Sequence, residues 1–318
     1  MKNVLIALPV EERHRKKLEA AGKGCRFVYT LPRDATEEQI AEADIIIGNV
    51  SPRKLKASER LELFQLSSAG ADNYIVPGVL SKNTVLTNAT GAYSKAVSEH
   101  TLALLLMLQK KLYLYRDAQS RHEWSDAGKV VSMTDAVVAV VGLGDIGTHF
   151  AALVKSLGAH VVGVKRRPGP CPDCADELYT EDALDSVLAR ADAVASFLPG
   201  TGATAYVYTA ERFELMKPTA FFINCGRGGA VASEVLYRAL RDGKIAAAAI
   251  DVTEREPLPA DSPLWGLENL VITPHVSGFY HLPETFERIV DIAAENLAAM
   301  LSGGELKNIV DFETGYKK

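Results

Sequence analysis

Residues 136–147 read Ala136-Val137-Val138-Ala139-Val140-Val141-Gly142-Leu143-Gly144-Asp145-Ile146-Gly147. An apolar, β-branched run enters a Gly-x-Gly-x-x-Gly turn, and Phe150, Ala151, Leu153, Val154 and Leu157 follow at helical spacing before Gly158 ends the helix. Strand, glycine turn and helix in this order form the first half of a dinucleotide-binding unit, because each glycine meets a separate steric demand. Gly142 permits the tight turn, Gly144 lets the backbone approach a pyrophosphate, and Gly147 lets the helix lie close to the strand. The helix start offers N–H groups and a positive dipole end to the phosphates. Leu143, Asp145 and Ile146 complete the turn and count among the expected cofactor contacts.

The next strand, 160–164, ends in Val164-Lys165-Arg166-Arg167-Pro168. An NAD site usually carries Asp or Glu there, about 20 residues beyond the glycines, to hold the ribose 2′-hydroxyl. No acid is in reach here. A carboxylate would repel a 2′-phosphate, whereas a guanidinium binds one with two hydrogen bonds. NADP is therefore the expected cofactor and NAD the alternative, with Arg166 as the main contact and Lys165 or Arg167 assisting. The blander reading is a solvated basic turn.

Outward from this unit, short β-branched runs alternate with amphipathic stretches. Strands are expected at 4–8, 26–29, 44–48, 64–67 and 85–87, then at 136–141, 160–164, 193–197, 220–224, 247–250 and 271–273. Strands apolar on both faces with helices between them make parallel sheets covered on both sides. The stretch 96–116 separates the two sets and is apolar around much of its circumference. It reads as an interdomain helix that also faces a partner subunit, or equally as an ordinary core helix. One more helix is expected at 282–301, with Pro283 in its first turn and Gly303-Gly304 ending it. There is no internal repeat.

The chain has 318 residues, 47% hydrophobic and 24% charged, with a net charge of −5. That is room for two domains with real cores. The mild acidity gives no reason to expect nucleic acid or an anionic membrane as partner. The opening residues are too short an apolar run for a signal peptide, and the longest such run, 102–108, is too short to span a bilayer. Four cysteines in a chain of this length form no disulfide framework, so a reducing cytoplasm is expected.

Each of three later strands is followed by one reactive residue among small ones: Asn224-Cys225-Gly226-Arg227-Gly228-Gly229, Asp251-Val252-Thr253-Glu254-Arg255-Glu256-Pro257 and Thr273-Pro274-His275-Val276-Ser277-Gly278. In an open α/β sheet ligands bind at the carboxyl ends of strands, so these loops should open on one crevice. Reducing a 2-oxo acid requires hydride at C2 and a proton at its oxygen. Histidine suits the proton transfer, a carboxylate beside it stabilises the imidazolium, and arginine binds the substrate carboxylate and polarises the carbonyl. Alone, each residue could be a turn or capping group; together and in order they read as a site.

These segments resemble the D-isomer-specific 2-hydroxyacid dehydrogenase family, which includes glyoxylate/hydroxypyruvate reductases, D-lactate dehydrogenases and phosphoglycerate dehydrogenases. The resemblance runs over nearly the whole chain and is strongest from Gly142 to Gly278. It implies that Arg227 binds substrate, His275 is the acid/base and Glu256 its partner. It implies a cofactor contact for Asp251 at the nicotinamide carboxamide, and for Leu198-Pro199 at the adenosine. The Cys225 backbone is expected beside the nicotinamide, and Ser277 counts among the cofactor contacts. Ser67-Ser68-Ala69-Gly70-Ala71-Asp72 resembles the loop whose backbone N–H groups hold the substrate carboxylate, at Ala69, Gly70 and Ala71. The implied fold class is α/β: a Rossmann-type cofactor domain, 96–282 with the helix 96–116, inserted in a flavodoxin-like substrate domain, 1–95 and 283–318, with parallel sheets in both. A cleft that closes in turnover and a homodimer are implied too. The implied reaction is NAD(P)H-dependent reduction of a small 2-oxo acid, of the glyoxylate or hydroxypyruvate kind, to the D-2-hydroxy acid. A non-catalytic NAD(P)-binding sensor resembling the C-terminal-binding-protein corepressors is the alternative. Related formate dehydrogenases place Gln where this chain has Glu256.

The departures are the missing acid after the second strand, the Pro170-Cys171-Pro172-Asp173-Cys174 segment and the bulky Phe279-Tyr280-His281. Cys171 and Cys174 lack the second pair a zinc site needs, and no metal site is expected. His14 and His122 sit in stretches that read as exposed, His149 and His160 should face solvent, and His100 should be a hydrogen-bonded interface or core residue rather than a catalyst. His281, Tyr74, Tyr93, Tyr280, Trp124 and Trp265 are candidates to shape a pocket, or simply packing residues.

Overall fold

The computed structural model describes residues 1–56 and 58–315; residues 57 and 316–318 of the expected substrate domain lie outside the described residues. The chain divides into two compact units, Met1–Tyr93 with Tyr280–Lys318, and Ser94–Phe279.

The first unit holds five parallel strands: β1 (Asn3–Ala7), β2 (Arg26–Thr30), β3 (Ile45–Ile47), β4 (Leu63–Gln65) and β5 (Val85–Thr87), in the order β2-β1-β3-β4-β5. This is the flavodoxin-like order. Successive side chains point to opposite faces. Leu5, Ile46, Phe64 and Leu86 pack with Ile40 of α2 (Glu37–Glu42) and Leu55 of α3 (Pro52–Leu55) on one face. Val4, Ile6, Ile45 and Leu63 pack on the other with Leu18 of α1 (Glu12–Ala21) and with Ile289, Val290, Ala293 and Leu297 of the helix Pro283–Ser302. That last helix starts at Pro283 and ends at Gly303 in a left-handed cap.

His14 departs from expectation. It is buried, its Nδ1 accepts from the Glu11 N–H at 3.0 Å, and its Nε2 lies 3.0 Å from Oε1 of Glu287. The partner that removes it from solvent is 273 positions away.

The second unit holds seven parallel strands: β6 (Val137–Val141), β7 (His160–Val164), β8 (Glu177–Tyr179), β9 (Ala193–Ser196), β10 (Phe221–Asn224), β11 (Ala247–Ile250) and β12 (Leu270–Ile272), ordered β12-β11-β10-β9-β6-β7-β8. The chain steps outward from β6 to β8, returns, and steps the other way from β9 to β12. The switch falls between β6 and β9, as in the Rossmann order. α7 (Leu184–Arg190), α8 (Ala210–Leu215) and α9 (Ser233–Arg241) cover one face, burying Val187, Phe213 and Leu236 against Val162, Val194, Phe222 and Ala248. On the other face α6 (Asp145–Ser156) packs on β6 and β7, and α4 (Ser94–Gln109) packs on α6, β10 and β11. In chain order the helix Pro283–Ser302 is α10.

The expected single helix 96–116 is two. α4 ends at Gln109, Lys111 turns the chain at φ +55, and α5 runs Leu112–Ser120. The ammonium groups of Lys110 and Lys111 bond the carbonyls of Val131 and Ala127, tying the corner to the following coil. β8 was not expected, because its Glu177 and Tyr179 break any apolar run. Glu177 holds this edge strand through Arg190 at 2.9 and 2.6 Å and His160 at 2.6 Å.

Candidate active site

All seven strands of the second sheet end on one edge. The glycine turn stands there after β6. Gly142 and Leu143 N–H groups both donate to the Val164 carbonyl, at 2.9 and 3.0 Å. Gly142 has φ +94, and a Cβ on it would come 2.9 Å from the Phe197 carbonyl. A Cβ on Gly147 would come 2.3 Å from the Gly142 carbonyl oxygen. Both are required by packing. Gly144, the residue that caps α6, is different: a Cβ there meets nothing within 4 Å. Its freedom serves space outside the protein, a cradle in front of the start of α6, where first-turn N–H groups point out of a helix. The turn therefore fits a dinucleotide. The Asp145 carboxylate is engaged, accepting from Ser94 Oγ at 2.6 Å.

After β7, Lys165 is half-buried while Arg166 and Arg167 are exposed, and the first acid beyond Val164 is Asp173. The donors present suit a phosphate rather than a ribose hydroxyl. Leu198 and Pro199 follow β9. The Leu198 carbonyl lies 2.6 Å from where a Cβ on Gly226 would stand, so the turns after β9 and β10 are in contact. Cys225, in the turn after β10, is buried, and burial pushes its thiol up to about 12.

Asn224 shapes the Arg227 turn: its Nδ2 donates to the Arg227 carbonyl at 3.0 Å and its Oδ1 accepts from Gly226 N–H at 3.1 Å. Gly228 lets this turn touch the next one, since a Cβ there would overlap the Thr253 carbonyl oxygen at 1.9 Å. Arg227 is half-buried, with Nη1 donating to the Gly226 carbonyl at 2.9 Å.

Two acids follow β11, and geometry separates them. Glu254 accepts from Ser233 N–H at 2.8 Å and Tyr206 hydroxyl at 3.0 Å; the backbone donor holds its carboxyl below the usual range. Glu256 faces His275, with Oε2 2.7 Å from Nδ1, while its Oε1 accepts from Thr253 N–H at 3.1 Å. His275 has φ +52, a left-handed conformation that a histidine holds only where its surroundings impose it. Those surroundings are Asp251. Its carbonyl accepts from His275 N–H at 2.7 Å, its Oδ1 from Val276 N–H at 3.0 Å and Thr273 hydroxyl at 2.6 Å, and its Oδ2 from Ser277 N–H at 3.1 Å. Asp251 and Ser277 are buried in this arrangement.

The loop Ser67–Asp72 belongs to the first unit. Asn49 Oδ1 accepts from the Ser67 N–H at 2.9 Å, Asn88 Nδ2 donates to the Ala69 carbonyl at 2.8 Å, and Tyr93 hydroxyl donates to the Ser67 carbonyl at 2.5 Å. Ala69 and Gly70 are half-exposed and Ala71 is buried. Tyr280 hydroxyl donates to Ser67 Oγ at 3.2 Å. Tyr74 is a core residue, edge-on to Phe64 with its hydroxyl on the Val50 carbonyl.

Sequence reasoning missed Asn224, Asn49 and Asn88. Their signal was an asparagine closing a strand or opening a turn, where its side chain satisfies nearby backbone groups. Among the described residues no group of three or more His, Cys, Asp or Glu side chains could hold a metal, and no helix is long and apolar enough to cross a membrane.

Comparison with known proteins bears on this geometry. The D-isomer specific 2-hydroxyacid dehydrogenase, NAD binding domain family matches residues 102–277. Glyoxylate/hydroxypyruvate reductase B of Escherichia fergusonii is 31% identical over 283 residues, 86% of each chain. A D-isomer specific 2-hydroxyacid dehydrogenase family protein from Aeromonas salmonicida is similar in structure, with a TM-score of 0.86 and 34% identity over 98% of this chain and 99% of that one. An NADPH-dependent glyoxylate/hydroxypyruvate reductase from Sinorhizobium meliloti, in complex with NADP and sulfate, gives 0.84 and 25% identity over 99% of this chain and 100% of that one. With two parallel sheets of the flavodoxin-like and Rossmann orders and this family matched across the glycine turn and all three strand-end loops, the chain belongs to the D-isomer-specific 2-hydroxyacid dehydrogenases, a family of NAD(P)-dependent oxidoreductases.

Proposed function

We propose that the chain reduces a small 2-oxo acid of the glyoxylate or hydroxypyruvate kind to the D-2-hydroxy acid, with NADPH preferred over NADH. The observation that carries this is the 2.7 Å contact of His275 Nδ1 with Glu256 Oε2, on turns that follow neighbouring strands of the sheet that bears the glycine cradle. An intact acid/base pair separates an enzyme from a cofactor sensor.

A reduced nicotinamide bound at the glycine turn would supply the hydride. The rest is work for side chains. The Glu256 carboxylate can only accept, so Nδ1 keeps its hydrogen and Nε2 is the nitrogen that gives a proton to the substrate oxygen. Glu256 stabilises the imidazolium before transfer. Arg227 binds the substrate carboxylate and draws charge toward the carbonyl oxygen. The backbone N–H groups of Ala69, Gly70 and Ala71, on a loop of the first unit, are proposed as carboxylate donors on the strength of the family resemblance. Arg166, helped by Lys165 or Arg167, takes the 2′-phosphate; Leu198, Pro199 and Cys225 border the cofactor. The D outcome and the substrate type are supported by the glyoxylate/hydroxypyruvate reductases among the relatives.

A homodimer is part of the proposal. Leu112 on α5 and Trp124, Val130 and Val131 in the coil after it are large apolar side chains left exposed close together in sequence, which suits a protein partner. Sedimentation of the purified chain should give twice the chain mass, and a monomer at assay concentration would remove this part. A cytoplasmic site is proposed from the four unpaired cysteines.

The deciding assay follows loss of NADPH or NADH absorbance with glyoxylate, hydroxypyruvate, 3-phosphohydroxypyruvate, pyruvate and phenylpyruvate. Faster NADPH oxidation with glyoxylate or hydroxypyruvate is expected. Binding of NADPH with no turnover of any acid would overturn the reading.

A further inference from the structure

His100 lies on α4, far in sequence from the strand-end turns, yet it reaches one of them. Its Nε2 is 3.1 Å from the Thr273 hydroxyl oxygen, and that hydroxyl donates its one proton to Asp251 Oδ1 at 2.6 Å. The oxygen must therefore accept from Nε2–H, which fixes the ring tautomer. His100 Nε2 is also 3.8 Å from Asp251 Oδ1.

What Asp251 does with its remaining bonds gives this relay its meaning. The carboxylate is 1% exposed, and its other acceptor contacts go to Val276 and Ser277, the residues that follow His275. Its own carbonyl holds the His275 N–H. The left-handed turn at His275 is thus hung on one buried carboxylate residue, and the Thr273 hydroxyl links that residue to a helix outside the turn. α4 packs on β10 and β11, so the helix is a firm mount for such a link.

We propose that His100 is a positioning residue for the reduction, acting through the Thr273 hydroxyl to fix Asp251 and with it the turn that presents His275. This rests on the reading of His275 as proton donor. His100 touches neither reacting atom; its effect passes through the placement of the imidazole. A small displacement of a proton donor slows chemistry far more than it weakens binding of the cofactor.

The test uses the full chain with NADPH and its best 2-oxo acid. Thr273→Val and His100→Phe are expected to lower kcat by about tenfold to a hundredfold, a larger factor than any accompanying change in NADPH Kd. Thr273→Ser and His100→Gln restore a hydroxyl and an N–H donor, and should stay within about threefold of the parent kcat. The double variant H100F/T273V should be no slower than Thr273→Val alone, because both break the same chain of bonds. Melting temperatures identify any variant that misfolds, and the Ser and Gln forms keep the test open in that case. Multiplying losses in the double variant, valine and serine equally slow, or an unimpaired His100→Phe would each overturn the inference. An inactive His275→Ala beside an unimpaired His100→Phe would sink the inference alone; a fully active His275→Ala would sink the proton-donor reading and the inference with it.

Discussion

Oε2 of Glu256 and Nδ1 of His275 stand 2.7 Å apart, while the other Glu256 oxygen is held by the Thr253 N–H. The carboxylate is thereby aimed, and it holds the ring in one tautomer. Glu256→Gln preserves the shape and removes the charge. It should cost about 10² to 10⁴ in kcat with NADPH affinity unchanged, as removal of a charged partner from an acid/base pair generally does. Steady-state kinetics with a separate cofactor titration decides it: an undiminished kcat removes Glu256 from the mechanism.

Arg166→Ala should lower kcat/KM with NADPH by about tenfold to a hundredfold and leave NADH nearly untouched, since a charge-assisted bond to a phosphate is worth about 1.5–3 kcal/mol. The ratio of the two cofactors is the quantity to measure. If it does not move, the 2′-phosphate is anchored by Lys165 or Arg167 instead.

Gly144→Ala and Gly228→Ala should behave as opposites. A Cβ on Gly144 meets nothing within 4 Å, so folding stability should stay within about 0.5 kcal/mol while cofactor affinity falls, because the methyl group occupies the cradle. A Cβ on Gly228 would stand 1.9 Å from the Thr253 carbonyl oxygen, and more than about 2 kcal/mol of stability should be lost. Urea denaturation beside NADPH titration separates the two. Equal destabilisation of both would mean that the Gly144 position is not open to ligand.

Glu177 ties the edge strand β8 to Arg190 and His160, and these bonds, Arg190 first, hold its carboxyl down at about 2. A folded value below the unfolded one adds stability that is complete above the ordinary carboxylate range and fades as pH falls toward about 2. Glu177→Gln should therefore be less stable than the parent at neutral pH, with the gap narrowing as pH drops through that window. A gap that stays constant with pH would assign the loss to packing rather than to the charge.

The fold was legible where the constraint is local. The glycines of 142–147 announce themselves because each is needed by its own turn, and β7 and β11 came out at their sequence-expected ends because their apolar runs stop there. The Arg227, Glu256 and His275 turns were legible for the same reason, each being a reactive residue among small ones after a strand. What could not be read depends on neighbours across the sheet. That Asp251 gathers Thr273, Val276 and Ser277 follows from β11 lying beside β12, which no spacing reveals. That His14 is buried depends on Glu287, and that α4 ends at Gln109 depends on Lys110 and Lys111 finding carbonyls at 131 and 127. β8 is held by ion pairs, and ion pairs leave no hydrophobic period to read.

One face of the five-stranded sheet is covered by α10, whose Asn296 donates to Gln65 of β4 at 2.6 Å. Strand and helix are separated by the entire unit Ser94–Phe279. During synthesis the first five strands therefore leave the ribosome with Val4, Ile6, Ile45 and Leu63 covered only in part, by Leu18 of α1, and they stay so until the inserted unit has been made. The inserted unit has all its strands in hand earlier and can fold first. A nascent chain stalled near residue 279 should thus show a protease-resistant middle and a digestible beginning, and chaperone dependence should centre on the oldest part of the chain rather than the newest.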